Sequence, residues 1–173
     1  MHWLLEKVGA ADKVVDVLRE AGGRVVGRTR LQKMFYLLDA SGYLGDFSFE
    51  YRHYGPYSEE LTRAISVGTL QGTVREQELP ASWGGTYSIF TVEGSYVAST
   101  DPTRKELLGI ANEANPIDLE LAATAIFLAR SGEKNPWSET QRRKPEKATR
   151  LLEAKELLAK LSRLDVPNRL PAL

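Results

Sequence analysis

No cysteine occurs among the 173 residues, which excludes disulfides, thiolate catalysis and cysteine-ligated zinc. Histidine is almost as scarce. Only His2 and His53 are present, and no Ser/His/Asp order accompanies either, so nucleophilic catalysis of the triad type lacks its oriented base. Excess charge of either sign is missing too: 23 Lys and Arg stand against 23 Asp and Glu, so no global field draws the chain to nucleic acid or to a membrane surface. No apolar run approaches the roughly 20 residues of a bilayer span. The opening Trp3-Leu4-Leu5 meets Glu6-Lys7 at once, too soon for a secretory h-region, so a cytoplasmic location is expected. Gly84-Gly85 falls between two strand patterns and not between strand and helix, so no phosphate-cradling loop is present. No metal and no cofactor is expected, and an enzyme is the least favoured class.

What is present is an ordinary globular composition, 42% hydrophobic and 27% charged, long enough for a substantial core. Its clearest stretch runs from Gly27 to Leu61. Thr29 followed by Gln32 has the spacing of a capping box. Leu31, Met34, Phe35 and Leu38 then form one stripe of a helix, and Tyr36 and Leu37 lie off that stripe, which predicts a second covered flank. Ser41-Gly42 stops the helix. Phe47, Phe49 and Tyr51 alternate with polar residues, as in a half-buried strand. Gly55-Pro56 reads as the break after it, and Ser58 with Glu59 and Glu60 as the start of the next helix.

The flanking segments extend the pattern. Residues 3–21 form an amphipathic helix with Leu4, Val8, Ala11, Val15 and Leu18 on one stripe, closed by Gly22-Gly23. The helix from Ser58 turns Leu61, Ile65, Gly68 and Leu70 inward. Thr73–Leu79 and Thr86–Val92 make a hairpin whose ending, Tyr87-Ser-Ile-Phe-Thr-Val-Glu-Gly94, looks like that of a winged-helix wing. From Pro102 the pattern is helical. Asn115-Pro116 ends one helix, Asp118 is placed to cap the next, and Leu119–Leu128 is apolar round much of its girth, as central helices are. Pro136 starts a short helix, and Pro145 a long one with Leu151, Leu152, Leu158 and Leu161 inside. The tail after Val166 reads as loosely ordered. The fold class expected is therefore α+β, mostly α: a winged-helix-like part with a small antiparallel sheet over 1–95, a helical part over 96–166 packed on it, and a tail over 167–173.

Leu31, Gln32, Lys33, Tyr36 and Leu37, followed by Tyr54-Gly-Pro-Tyr-Ser58 and Leu61, resemble the YwgA-like family of bacteria and archaea, which is related to the Panacea domain of SocA-like antitoxins. The resemblance implies a non-enzymatic module that binds a partner protein, a toxin in the antitoxin case. Lys33, Tyr36, Tyr54, Tyr57 and Trp137 are the candidate contact residues, tyrosine and tryptophan being favoured interface anchors. The rival reading is a DNA-binding regulator, whose third helix would enter the major groove. Arg28, Arg30, Arg142, Arg143 and Lys144 are its candidate phosphate contacts. The third helix itself carries Glu59 and Glu60 against Arg63, and the wing Glu76 and Glu78 against Arg75, a balance that repels phosphate. Nothing in the sequence specifies an oligomeric state.

Overall fold

The computed structural model describes residues 2–94 and 101–173, and of residues 2–8 the backbone alone. Among these the chain is mostly helical, an α+β arrangement with two small antiparallel sheets. The element order is α1 (His2–Glu20), β1 (Arg24–Val26), α2 (Arg28–Ala40), β2 (Glu50–Arg52), β3 (Gly55–Tyr57), α3 (Glu59–Leu70), β4 (Arg75–Pro80), β5 (Thr86–Thr91), α4 (Pro102–Glu113), α5 (Pro116–Arg130), α6 (Pro136–Arg143), a 3-10 segment (Pro145–Arg150) and α7 (Leu151–Ser162). The boundary expected at 95–96, and the side chains of Leu4 and Val8, lie outside the described residues.

Two helices make the centre. In α2 every residue from Leu31 to Leu38 is buried, and α5 is buried from Asp118 to Ile126. Each is covered on more than one side because the two pack on one another. α5 also takes α6, α7 and β3, while α2 takes α4 and the edge of the sheet. α1 lies across α3, with Val14, Val17 and Leu18 fully buried. The larger sheet runs β1-β5-β4, with Val25 opposite Phe90 and Glu76 opposite Phe90 on the other side. One continuous cluster joins Leu18, Leu31, Phe35, Phe90, Leu107, Leu119 and Leu158.

Helix ends follow local chemistry. Ser58 caps α3 by accepting from Leu61 N at 3.2 Å. Gly42, at φ 84°, closes α2, and Tyr43 N reaches back to Leu38 O at 2.9 Å, the reversal for which glycine is suited.

Several expectations are corrected. Thr29 makes no cap: α2 begins after Gly27 with no side-chain cap, and Gln32 is engaged elsewhere. Asp118 does not cap α5; Asn115 does, accepting from Ile117 N at 2.9 Å, and Asp118 pairs with Arg150. Phe47 and Phe49 alternate inward as read, Phe47 edge-on to Phe35 at 5.4 Å and Phe49 to Tyr36 at 5.3 Å, but only Glu50–Arg52 finds a strand partner. That partner is the supposed break: Gly55–Tyr57 is itself strand β3, paired Arg52↔Gly55, Tyr51↔Pro56 and Glu50↔Tyr57 around the turn His53-Tyr54. Pro145 opens a 3-10 segment before α7 begins. Leu70 and Leu152 face solvent, and Ala154 takes the inner position next to Leu158 and Leu161. The tail is tied down. Val166 and Leu170 are buried, Asn168 N donates to Ser41 O at 2.9 Å, and Ala40 O accepts from both Asn168 and Arg130. These bonds satisfy carbonyls that the end of α2 leaves over.

Candidate functional site

The β2–β3 hairpin is held from two directions. From α2, Gln32 answers Ser58 on both backbone groups: Ser58 N donates to its Oε1 at 2.8 Å, and its Nε2 donates to Ser58 O at 3.0 Å. One residue on, Lys33 Nζ donates to Pro56 O at 2.7 Å. From the other side, Lys144 Nζ donates to His53 O at 2.8 Å and to Glu120 Oε1 at 2.6 Å. Lys147 Nζ reaches both oxygens of Glu120 at 2.7 Å. Two of these anchors, Lys33 and Lys144, are buried lysines, and Glu120 is buried between its two cations.

The glycine of the hairpin is needed for two reasons. Gly55 has φ 86°, a conformation that costs an L-residue roughly 1–2 kcal/mol. A Cβ there would also stand 2.6 Å from Thr124 Oγ1, a hydroxyl fixed by its own bond to Glu120 O at 2.8 Å. Gly55→Ala should therefore lower stability by about 2 kcal/mol, read as a reduced urea midpoint. Thr124→Ala in the same chain should relieve the clash and leave the backbone strain.

Burial sets the electrostatics. Lys33 is 1% exposed and touches no carboxylate. Burial lowers its ammonium from the usual value to about 7, Glu120 pulling it back up and Lys144 and Lys147 pushing it further down. The Tyr36 hydroxyl is pushed upward, chiefly by burial. Glu139, by contrast, is held at about 2 by hydrogen bonds from Arg142 and Arg143.

The predicted residues fall into separate places. Lys33 and Tyr36 are corrected as contact residues: both are interior, Lys33 bracing Pro56 and Tyr36 packed on Phe49 and Phe127. Tyr54 is 53% exposed at the hairpin turn, edge-on to His53 at 4.6 Å and with Lys147 Nζ 5.2 Å from its ring. Tyr57 is half-buried, its hydroxyl 2.7 Å from Thr62 Oγ1 and Arg52 above its ring. Trp137 packs against the core under Lys155 of α7. A cleft of about 380 Å³ brings Arg28, Lys33, Tyr54 and Tyr57 to one place, between α2, α3, β5 and the hairpin.

The basic candidates do not form one open patch. Arg28 donates to Glu76 and Glu78, at 2.6 and 2.9 Å. Arg30 is spent on the carbonyls of Val26, Ala111 and Ala114. Arg142 and Arg143 share Glu139, and Lys144 is buried on Glu120. Arg143 also lies over the Tyr51 ring at 4.7 Å. Among the described residues no group of three His, Asp or Glu is placed to hold a metal ion, and no helix is long and apolar enough to cross a membrane.

Against known proteins, no protein-family model matches the chain. It is 28% identical over 122 residues to the uncharacterised protein YwgA of Bacillus subtilis (strain 168), a match that spans 66% of this chain and 72% of that protein. The similarity supports a YwgA-like family. YwgA brings no activity with it, so function rests on this chain's own geometry.

Glu120 and Lys147 were not among the residues singled out. The signal for Glu120 was available: a carboxylate inside a helix apolar on nearly every side needs a buried cation. Lys144 is a phosphate candidate in the sequence, whereas its partner in the fold is Glu120.

Proposed function

We propose that the chain is a non-enzymatic protein-binding module on a winged-helix-like frame, and that it docks its partner through the tip of the β2–β3 hairpin. The observation that carries this reading is Tyr54. It is a half-exposed aromatic on a two-residue turn braced by buried lysines, Lys144 at His53 O just before the tyrosine and Lys33 at Pro56 O two residues after it. An aromatic anchor held in place before binding loses little conformational freedom on docking. The order α1, β1, α2, α3, β4, β5 with the sheet β1-β5-β4 supports the winged-helix-like frame.

The resemblance of the LQK and YGPYS segments to Panacea-type antitoxin modules supports a toxin as the partner. The DNA-regulator reading is less favoured, because the cations it would use are already engaged by carboxylates or carbonyls, and freeing them for phosphate would cost those contacts.

Co-expression with the product of the neighbouring gene, followed by purification through one tagged partner, tests the proposal. The two should co-elute, and Tyr54→Ala should weaken the complex at least tenfold with an unchanged melting temperature. Failure of the unsubstituted protein to retain the neighbour, together with a mobility shift on its own promoter that fades with salt, would replace this reading with DNA binding.

A further inference from the structure

The alternation of the larger sheet sorts its charges by face. In β4, Glu76 and Glu78 stand on the side of buried Phe90 and are held by Arg28, while Arg75, Gln77 and Leu79 stand on the opposite side. Register sets Arg24 and Arg75 on either side of Thr91, and Leu79 beside Tyr87, all on that outward face. Both arginines are exposed, and among the described residues neither makes an ion pair or a side-chain hydrogen bond. Asp12 and Glu93 share a cavity wall with Arg75 without pairing with it. The strands of the outward face thus carry two unanswered cations and no acid.

The same face ends in aromatic groups. Tyr87 is 38% exposed, and Trp83, in the β4–β5 turn, is 75% exposed. A Cβ on Gly85 would collide with the Trp83 ring. The indole therefore occupies the side-chain place of Gly85, two residues from Tyr87 and on its side of the sheet. Turn bonds fix that seat, Ala81 N donating to Gly85 O at 2.8 Å and Gly84 N to Ala81 O at 3.1 Å. Val26 and Ile89, half-buried and opposite one another in register, make an apolar floor between the rings and the arginines. No residue from Leu79 to Val92 is charged.

We infer that this outward sheet face binds single-stranded nucleic acid, with bases stacked on Trp83 and Tyr87 and phosphates on Arg24 and Arg75. Aromatic rings stack on bases that are unpaired and splayed out, whereas a duplex hides their faces. Cations beside such rings hold the backbone. From Gly85 to Thr91 the strand is about 20 Å long, room for a run of a few nucleotides. An acidic peptide would answer the arginines and leave the rings unused. The inference goes beyond the docking reading and does not depend on it, because Tyr54 belongs to the other sheet. The engaged cations Arg28, Arg30, Arg142, Arg143 and Lys144 take no part.

Fluorescence anisotropy of short labelled oligo-dT and oligo-U strands on the full chain tests this, with a duplex of the same length and an oligoglutamate peptide as competitors. At least one strand should bind, the deoxy and ribo arms telling DNA from RNA. Log affinity should fall against log salt with a slope of about −1.4, two cations at roughly 0.7 each. Trp83→Ala should weaken binding at least fivefold with an unchanged melting temperature, and Trp83→Phe should restore most of it. Arg24→Gln and Arg75→Gln should each reduce the slope by about 0.7. The inference is overturned by no anisotropy change up to about 0.1 mM protein, the weak end of non-specific binding. It is overturned equally by full binding in Trp83→Ala, or by duplex or oligoglutamate competing as well as the strand itself. Strand binding by a chain that retains no neighbouring gene product would leave this site standing and remove the docking reading alone.

Discussion

Glu120→Gln should destabilise the protein by about 3 kcal/mol at neutral pH, the lower end of the cost of stripping one partner from a buried ion pair. The residue is 3% exposed and both of its carboxylate oxygens accept from ammonium groups, Lys144 at 2.6 Å and Lys147 at 2.7 Å. Glutamine preserves the shape but offers one oxygen where two served, and it turns an N–H₂ towards a cation. Lys144 cannot retreat to water, because it is itself buried and tied to His53 O. Lys147 is partly exposed and can relax outward, which is why the lower end of the range applies. Added salt should leave most of the loss in place, since buried pairs are little screened. Glu139→Gln is the matched control. Its partners Arg142 and Arg143 sit at the surface, so the urea midpoint should hardly move. Lys144 links α5 to the hairpin turn, so amide exchange in β2 and β3 should accelerate more in Glu120→Gln than in α1 or β5. A midpoint for Glu120→Gln matching that of Glu139→Gln would show that the lysines find other partners and that the hairpin does not depend on this ion pair.

The parts of the fold legible in sequence are those where one local rule decides. Ser58 caps α3 because its hydroxyl has an orphan amide within reach. Gly42 ends α2 because the reversal needs φ of 84°. α5 is central because it has no wet side to expose. The parts that escaped are those where a distant segment competes for the same residue. Gln32 has capping-box spacing, yet Ser58 offers both an N–H and a carbonyl to it, and two bonds outbid one. Gly55-Pro56 carries every local mark of a strand break. The proline still fits β3, because a two-stranded ribbon has an outer edge where its missing N–H leaves no ladder bond unmade. Asp118 has cap chemistry one turn late, and Arg150, 32 residues on, claims it. The tail has few apolar residues, but Val166 and Leu170 are enough to seat it once Ser41 and Ala40 supply acceptors.

The candidate site shows the same division. The aromatic turn was visible, and Tyr54 is exposed on it. The inward fate of Lys33 was not visible, because a lysine on a helix flank is ordinarily a solvated group. Only the arrival of Pro56 from 23 residues away gives its ammonium an interior partner.

Lys33→Met should make the protein more stable in mild acid and less stable in alkali, and the two stability curves should cross between about pH 8 and 10. An unfolded lysine keeps its proton to 10.5, whereas Lys33 in the folded chain gives it up near 7. Between those values the unfolded state holds more protons, so stability rises with pH. Below pH 7 both states are charged, and the full penalty of the buried ammonium is present, on the order of 5 kcal/mol. Methionine removes that penalty and fills nearly the same space. It also leaves Pro56 O without its donor, a loss of roughly 1–3 kcal/mol that does not vary with pH. The first effect wins in acid, where the substituted protein should be the more stable by a few kcal/mol. The second wins once the remaining penalty has fallen below it, which happens before the unfolded lysine itself loses its proton. Taking the difference between the two proteins at each pH removes the contribution of every other titrating group, Tyr36 included. Urea unfolding at half-unit steps from pH 6 to pH 10 reads that difference directly. A difference that stays flat across the range would show that Lys33 keeps its proton in the folded chain.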